Sequence, residues 1–325
     1  MGMFKESVFE GFMYKLYIPN VSSKENPLPM VVMLHGCEQD SDQFAEETRM
    51  NELAEKEQFI CLYPTMNRFF NPLFDEPHKS NLAGCWNWFL DENQHRDTGL
   101  PKVITDMISA VEKILIKRHN INLDRKKVYV AGFSAGGAMA AILGVTYPET
   151  FRGIAVFAGL PYDAANTNLW KDPWNREAEH VMKKGVKDPY ESGKRAFLEM
   201  KKALSRTNIR KKLPIIIFHG MNDTTVNPIN SEQLVIQWAQ MHHLLEKGQG
   251  RVNVIPSQVK MDRSKNGRNY THHLYQDSQG NTFIEYWEIH EMGHAWSGGK
   301  KGQFCDPLGP DASSIIWEFF KKINN

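Results

Sequence analysis

An α/β architecture, a mostly parallel sheet covered by helices on both faces, follows from three features of this chain. Short continuous apolar runs recur, helical stretches separate them, and an abrupt glycine-rich turn joins one run to an alanine-rich stretch. Strands buried on both faces lose the alternation of a half-exposed strand and read as unbroken apolar runs. Strands that alternate with helices pair in parallel, because each crossover returns the chain to the same end of the sheet.

Taken in order, Val8 to Ile18 predicts an opening hairpin and Met30 to Leu34 the first buried strand. Residues 42–57 predict a helix, Phe59 to Tyr63 a strand, and 101–118 a strongly amphipathic helix. Val128 to Ala131 predicts the strand that enters the glycine-rich turn and its helix, and Gly153 to Phe157 the next strand. Leu213 to Phe218 and Thr282 to Ile289 supply two more, and a helix over 311–323, N-capped by Asp311, closes the chain. The stretch 161–212 interrupts the alternation; with Trp170, Trp174 and charged helical segments it predicts a cap-like insertion. A second excursion, 246–280, predicts irregular structure with a polar hairpin around Lys265-Asn266-Gly267. No repeat or linker divides the chain, which reads as a single α/β domain over residues 1–325.

Composition narrows the function classes. A net charge of +1 argues against nucleic acid as the main partner. Residues 161–212 carry thirteen Lys and Arg against seven Asp and Glu, an excess that reads as solvated helical faces. No apolar run approaches the roughly 18 residues of a membrane span. Met1 to Val8 leads straight into a strand pattern without a signal-peptide core. A chain that starts there is expected in the cytoplasm; one that has lost a leader, outside it. Cys37, Cys61, Cys85 and Cys305 show no Cys-x-x-Cys spacing, which disfavours a zinc cluster or redox pair. Nothing in the sequence reads out an oligomeric state.

The chemistry starts at Gly132-Phe-Ser-Ala-Gly136, between Lys-Val-Tyr-Val-Ala and Ala-Met-Ala-Ala-Ile-Leu. A strand that turns sharply into a helix there holds Ser134 exposed and strained, with the next amide aimed where an oxyanion forms. Gly132 and Gly136 suit a turn with no room for side chains. A serine hydroxyl needs a base, and the base an orienting carboxylate. In an α/β-hydrolase they follow in the order Ser, Asp or Glu, His. Asp223 follows the strand ending in His219-Gly220, and His294 follows the last strand, so both fall at the edge where Ser134 emerges. Gly293 permits a tight loop at His294, whereas His290 still belongs to the strand and His219 reads as a satisfied strand-end histidine. His35-Gly36-Cys37 supplies the second oxyanion donor, the Cys37 N–H, beside that of Ala135.

Several blocks together resemble the PHB-depolymerase-type esterases, α/β-hydrolases related to feruloyl and acetylxylan esterases. They are Leu34-His-Gly-Cys-Glu-Gln39, Gly84-Cys-Trp-Asn-Trp-Phe89, Gly132 to Met139, Ala158 to Tyr162, His219-Gly-Met-Asn-Asp223 with Val226, Gly293-His-Ala-Trp-Ser-Gly-Gly299 and Gly309 to Ser313. The resemblance implies the triad Ser134, Asp223 and His294, with Cys37 and Ala135 as oxyanion donors. It also implies a Cys37–Cys85 disulfide, against the alternative of two buried free thiols. Trp86, Trp88 and Trp296, with Gln39, would then line the substrate pocket; tryptophans of that size also serve a core, and for Trp88 both roles stay open. Met66 stands where relatives often carry a polar residue, and 161–212 is longer and more basic than the family pattern. Both departures bear on the substrate.

Rival readings fare worse. His290-Glu291-Met292-Gly293-His294 matches the His-Glu-x-x-His zinc peptidase pattern. That chemistry needs a helix, and here the motif follows a strand and contains Gly293. A non-catalytic binding protein on this fold would usually have lost a triad member. Acyl transfer to an alcohol shares the same acyl-enzyme. The expectation is therefore a serine esterase that needs no cofactor and no metal. Its substrate would be a small or polymeric ester, with short hydroxyacyl esters such as 3-hydroxybutyrate oligomers first and feruloyl or acetyl groups on plant polysaccharide second.

Overall fold

The computed structural model describes residues 2–21, 26–66, 68, 83–167, 176–206, 212–300 and 302–323. The chain opens on an antiparallel hairpin, β1 (Met3–Phe9) and β2 (Phe12–Ile18), which begins five residues before the apolar pattern suggests. β3 (Leu28–Leu34), β4 (Ile60–Pro64), β5 (Leu123–Phe133), β6 (Gly153–Phe157), β7 (Ile215–Gly220) and β10 (Thr282–Ile289) follow at the expected places. β8 (Gln258–Arg263) and β9 (Asn269–Gln276) form the polar hairpin. The sheet order is β1-β2-β4-β3-β5-β6-β7-β10-β9-β8. The strands from β4 to β10 are mutually parallel, and the pairs at either flank are antiparallel. This is the α/β-hydrolase fold.

Alternation survives in the central strands, but both of their faces are apolar. Met30, Val32 and Leu34 of β3 enter one core, and Val31 and Met33 the other. The first core lies beneath α3 (Gly99–Ile114), α4 (Ala135–Thr146), α6 (Pro189–Ser205) and α7 (Ile229–Lys247). The second lies beneath α1 (Ser41–Thr48), α2 (Met50–Glu57) and α8 (Ala312–Lys322). Asp311 caps α8 by accepting from the Ser314 N–H. Among the described residues no helix is long and apolar enough to cross a membrane.

Three expectations need correction. The helix expected over 42–57 is two helices, broken at Arg49, whose φ of 57° ends one and starts the other. The excursion 246–280 is irregular only in part: the polar hairpin expected in it forms, and it continues the sheet through β9 on β10. The insertion 161–212 supplies α5 (Arg176–Lys184) and α6, and α6 is part of the wall. It packs along α7 and against α4, and a Cβ on its Gly193 would meet the Gln240 side chain at 2.7 Å. Trp170 and Trp174 lie outside the described residues.

Candidate active site

Four loops at the carboxyl ends of β3, β5, β7 and β10 meet at one edge of the sheet. The loop after β5 is a single residue. Ser134 adopts φ 55° and ψ −119°, a conformation that L-residues hold only when their surroundings force it, at about 1–3 kcal/mol. Its N–H donates to the Phe157 carbonyl on β6 at 2.8 Å, and α4 starts at the next residue. Space explains the flanking glycines. A Cβ on Gly132 would come within 2.1 Å of the Gly136 carbonyl oxygen, and one on Gly136 equally close to that of Leu34.

His294 bridges the other two members. Its Nε2 lies 2.9 Å from Ser134 Oγ and its Nδ1 2.6 Å from Asp223 Oδ2. That geometry places the Nδ1 proton on the Asp223 side and leaves Nε2 to accept from the serine. Asp223 is buried, and its Oδ1 accepts from the backbone N–H groups of Thr225 and Val226 at 2.8 and 2.9 Å. Burial alone would raise its pKa, but His219 and His294 outweigh that and hold it well below the ordinary carboxylate range. The loops that carry the pair are tied together, since Met221 and Asn222 donate to the Ile289 and Met292 carbonyls at 2.9 and 2.8 Å.

The turn after β3 faces the same serine. Among the described residues, the amides of Cys37 and Ala135 donate to no other group. The turn is braced from every side. Gln39 Oε1 accepts the Gly36 N–H at 2.9 Å, and Trp86 Nε1 donates to the His35 carbonyl at 3.0 Å. His35 Nε2 accepts the Met66 N–H at 3.1 Å, which leaves the ring neutral, and burial pushes its pKa down to about 4. A disulfide joins Cys37 to Cys85 and so fastens the turn to the tryptophan-bearing loop.

The four residues expected to line the pocket are nearly enclosed by the fold, and Trp88, for which core and pocket were both open, sits in the core. Trp86, Trp296 and Gln39 are each 1% exposed and Trp88 5%, which leaves them almost no surface for a substrate. Trp86 and Gln39 hold the turn. Trp296 lies between Phe44 and Phe157 and donates to Ser313 Oγ. Trp88 packs in the first core against Phe89. Large aromatic rings close to a site are recruited by its walls as readily as by its pocket, and the sequence pattern is the same for both.

Two supporting residues carry no sequence signal of their own. Glu47 is buried and accepts from Gln39, Gln43 and the Gln303 N–H, joining α1 to the loop beyond His294. His35 was visible only as a neighbour of Gly36. The whole His-Glu-x-x-His pattern follows β10: His290, expected within the strand, lies in the turn just past its last residue, Ile289, with its Nε2 against Thr271 Oγ1 at 2.8 Å, and His294 faces Asp223.

Comparison with known proteins finds esterases. A sequence model described as esterase PHB depolymerase matches residues 12–254. Poly(3-hydroxyalkanoate) depolymerase C of Paucimonas lemoignei is 29% identical over 82% of this chain and 54% of its own length. Feruloyl esterase B of Thermothelomyces thermophilus is 27% identical over 70% of this chain and 69% of its own. This chain thus spans between about half and two thirds of those relatives. Among solved structures, an acetyl xylan esterase from Aspergillus awamori superimposes with a TM-score of 0.68 at 19% identity, covering 98% of this chain and 99% of that one, a likeness of fold.

Proposed function

The chain belongs to the PHB depolymerase family of esterases, and from that premise we propose that it is a serine carboxylic-ester hydrolase acting through an acyl-enzyme on Ser134. The observation that carries the reading is the unbroken chain from Ser134 Oγ through His294 to buried Asp223, at 2.9 and 2.6 Å, beside two amides that donate to no group among the described residues.

Ser134 Oγ attacks the ester carbonyl carbon as His294 Nε2 takes its proton, and Asp223 stabilises the imidazolium that results. The carbonyl oxygen becomes an oxyanion between the Cys37 and Ala135 amides, in a site where donors need no reorganisation. Collapse breaks the C–O bond, and His294 returns the proton to the departing alkoxide. Water then repeats the sequence, with His294 as base, and releases the acid and free Ser134. No step needs a metal or cofactor.

The substrate we favour is a short hydroxyacyl ester such as a 3-hydroxybutyrate oligomer, by likeness to the depolymerase. The test is chromatography of acid released from 3-hydroxybutyrate oligomers, feruloylated xylo-oligosaccharide and acetylated xylan, with Ser134→Ala as blank. Hydroxybutyrate release supports this reading. Release of ferulate or acetate alone moves the enzyme to the carbohydrate esterases, and no release from any ester refutes the hydrolase.

A further inference from the structure

We propose that His219 is a positioning residue for the hydrolysis assigned to Ser134: it clamps the loop that carries Asp223 and sets how strongly that carboxylate holds the proton on His294. The inference rests on that reading of the site. His219 is the last residue but one of β7 and has no exposed surface. Its Nε2 lies 2.9 Å from the Val226 carbonyl oxygen and 3.2 Å from Asp223 Oδ2. Both neighbours are acceptors, so Nε2 carries a proton, directed at Val226 with the carboxylate at its flank. Nδ1 faces Ser231 Oγ of α7 at 2.6 Å, which fixes the ring from its far side. Val226 in turn donates its own N–H to Asp223 Oδ1. One imidazole thus holds both ends of a four-residue loop and reaches the carboxylate oxygen that His294 uses.

Two imidazoles act on one carboxylate oxygen, His294 by a hydrogen bond and His219 through the electrostatic field of its N–H at the flank. The His219 N–H stabilises the charge on Asp223 and weakens its hold on the His294 proton. Its removal therefore strengthens that hold. The sign is the same if His219 is cationic, because a cation beside Asp223 also opposes a charge on His294. The other charges nearby are Glu232 in the first turn of α7, Glu288 opposite His219 on β10, Lys183 of α5 donating to the Thr224 carbonyl, and the Arg268–Glu291 pair beside the His294 loop. All of them persist when only His219 is changed.

The experiment compares His219→Leu, which removes the donor, with His219→Gln, whose amide keeps one. In the folded leucine variant the acid limb of kcat/KM on a p-nitrophenyl ester should move up by about half a unit or more. kcat should fall with KM unchanged, and the glutamine variant should bring the limb back. A limb that stays in place or moves down overturns the proposal and leaves His219 a purely structural residue. Nitrogen-15 histidine NMR of the unaltered protein needs neither variant nor turnover. It should find His219 Nε2 protonated at every pH at which the chain is folded, and an unprotonated Nε2 overturns the proposal even if both variants fail to fold. An unaltered protein that hydrolyses no ester refutes the reading of Ser134 itself, while the spectra still report on His219.

Discussion

The carbonyl oxygen of Leu34 occupies the space that a side chain on Gly136 would need: a Cβ there would lie 2.1 Å from it. The strand that leads into the Cys37 turn and the helix that begins beside Ser134 are therefore in backbone contact. Because the obstacle is backbone, Gly136→Ala must push α4 away from β3. The expected loss is about 1–3 kcal/mol of stability, with activity reduced more than stability implies, because Ala135 and Cys37 separate. Thermal melts alongside kcat check this; an alanine variant with wild-type kcat would contradict it.

The disulfide should matter to rate as well as to stability. Cys85→Ser opens a crosslink between residues 48 apart and should cost about 2–4 kcal/mol. Because it also frees the Cys37 turn, kcat should fall on the order of tenfold or more while KM for a small ester changes little. Steady-state kinetics of this variant, and of the unaltered protein after reduction, are the check.

Stability should decline on the acid side before activity chemistry is considered. Burial lowers the pKa values of His35 and His242 from 6.5 to about 4. Between those values the unfolded chain binds protons that the folded chain refuses, so stability falls as the pH drops through that window. Asp223, held below its ordinary range, adds a further loss as the pH falls below about 4. Denaturant midpoints measured from pH 8 to 4 should decrease steadily below about 6.5; a flat profile to pH 5 would contradict the burial of both imidazoles.

If Trp86 is a brace and not a pocket wall, Trp86→Phe should leave KM for a small ester unchanged. It removes the donor to the His35 carbonyl, and stability should fall by about 1–3 kcal/mol. A raised KM at unchanged kcat would restore the pocket assignment.

Much of this fold and site is legible in the sequence. The central strands announced themselves because both their faces are apolar, and Ser134 because a strand met a helix with glycines where backbones touch. His294 was separable from His290 by Gly293 and by the nearness of His290 to the strand, although β10 in fact ends one residue earlier, at Ile289. α7 escaped notice for a physical reason. Gln233, Gln237 and Gln240 interrupt its apolar pattern, yet all three are buried and bonded to Val186, Tyr162 and Val252. Buried amides that find backbone partners look like solvent-facing residues in a sequence. The break at Arg49 was equally hidden, since nothing in arginine's chemistry favours a left-handed backbone. The roles of Trp86, Trp296 and Gln39 depend on which surface each side chain faces, and only tertiary packing decides that.

The proposed mechanism requires an ester intermediate on Ser134. Rapid quench of the protein with a slow p-nitrophenyl ester, followed by peptide mass spectrometry, tests it most directly. The expected result is one acyl group on the peptide carrying Ser134, absent from Ser134→Ala and strongly reduced in His294→Ala. Turnover with no acyl group on that serine, or with one on another residue, would contradict the mechanism.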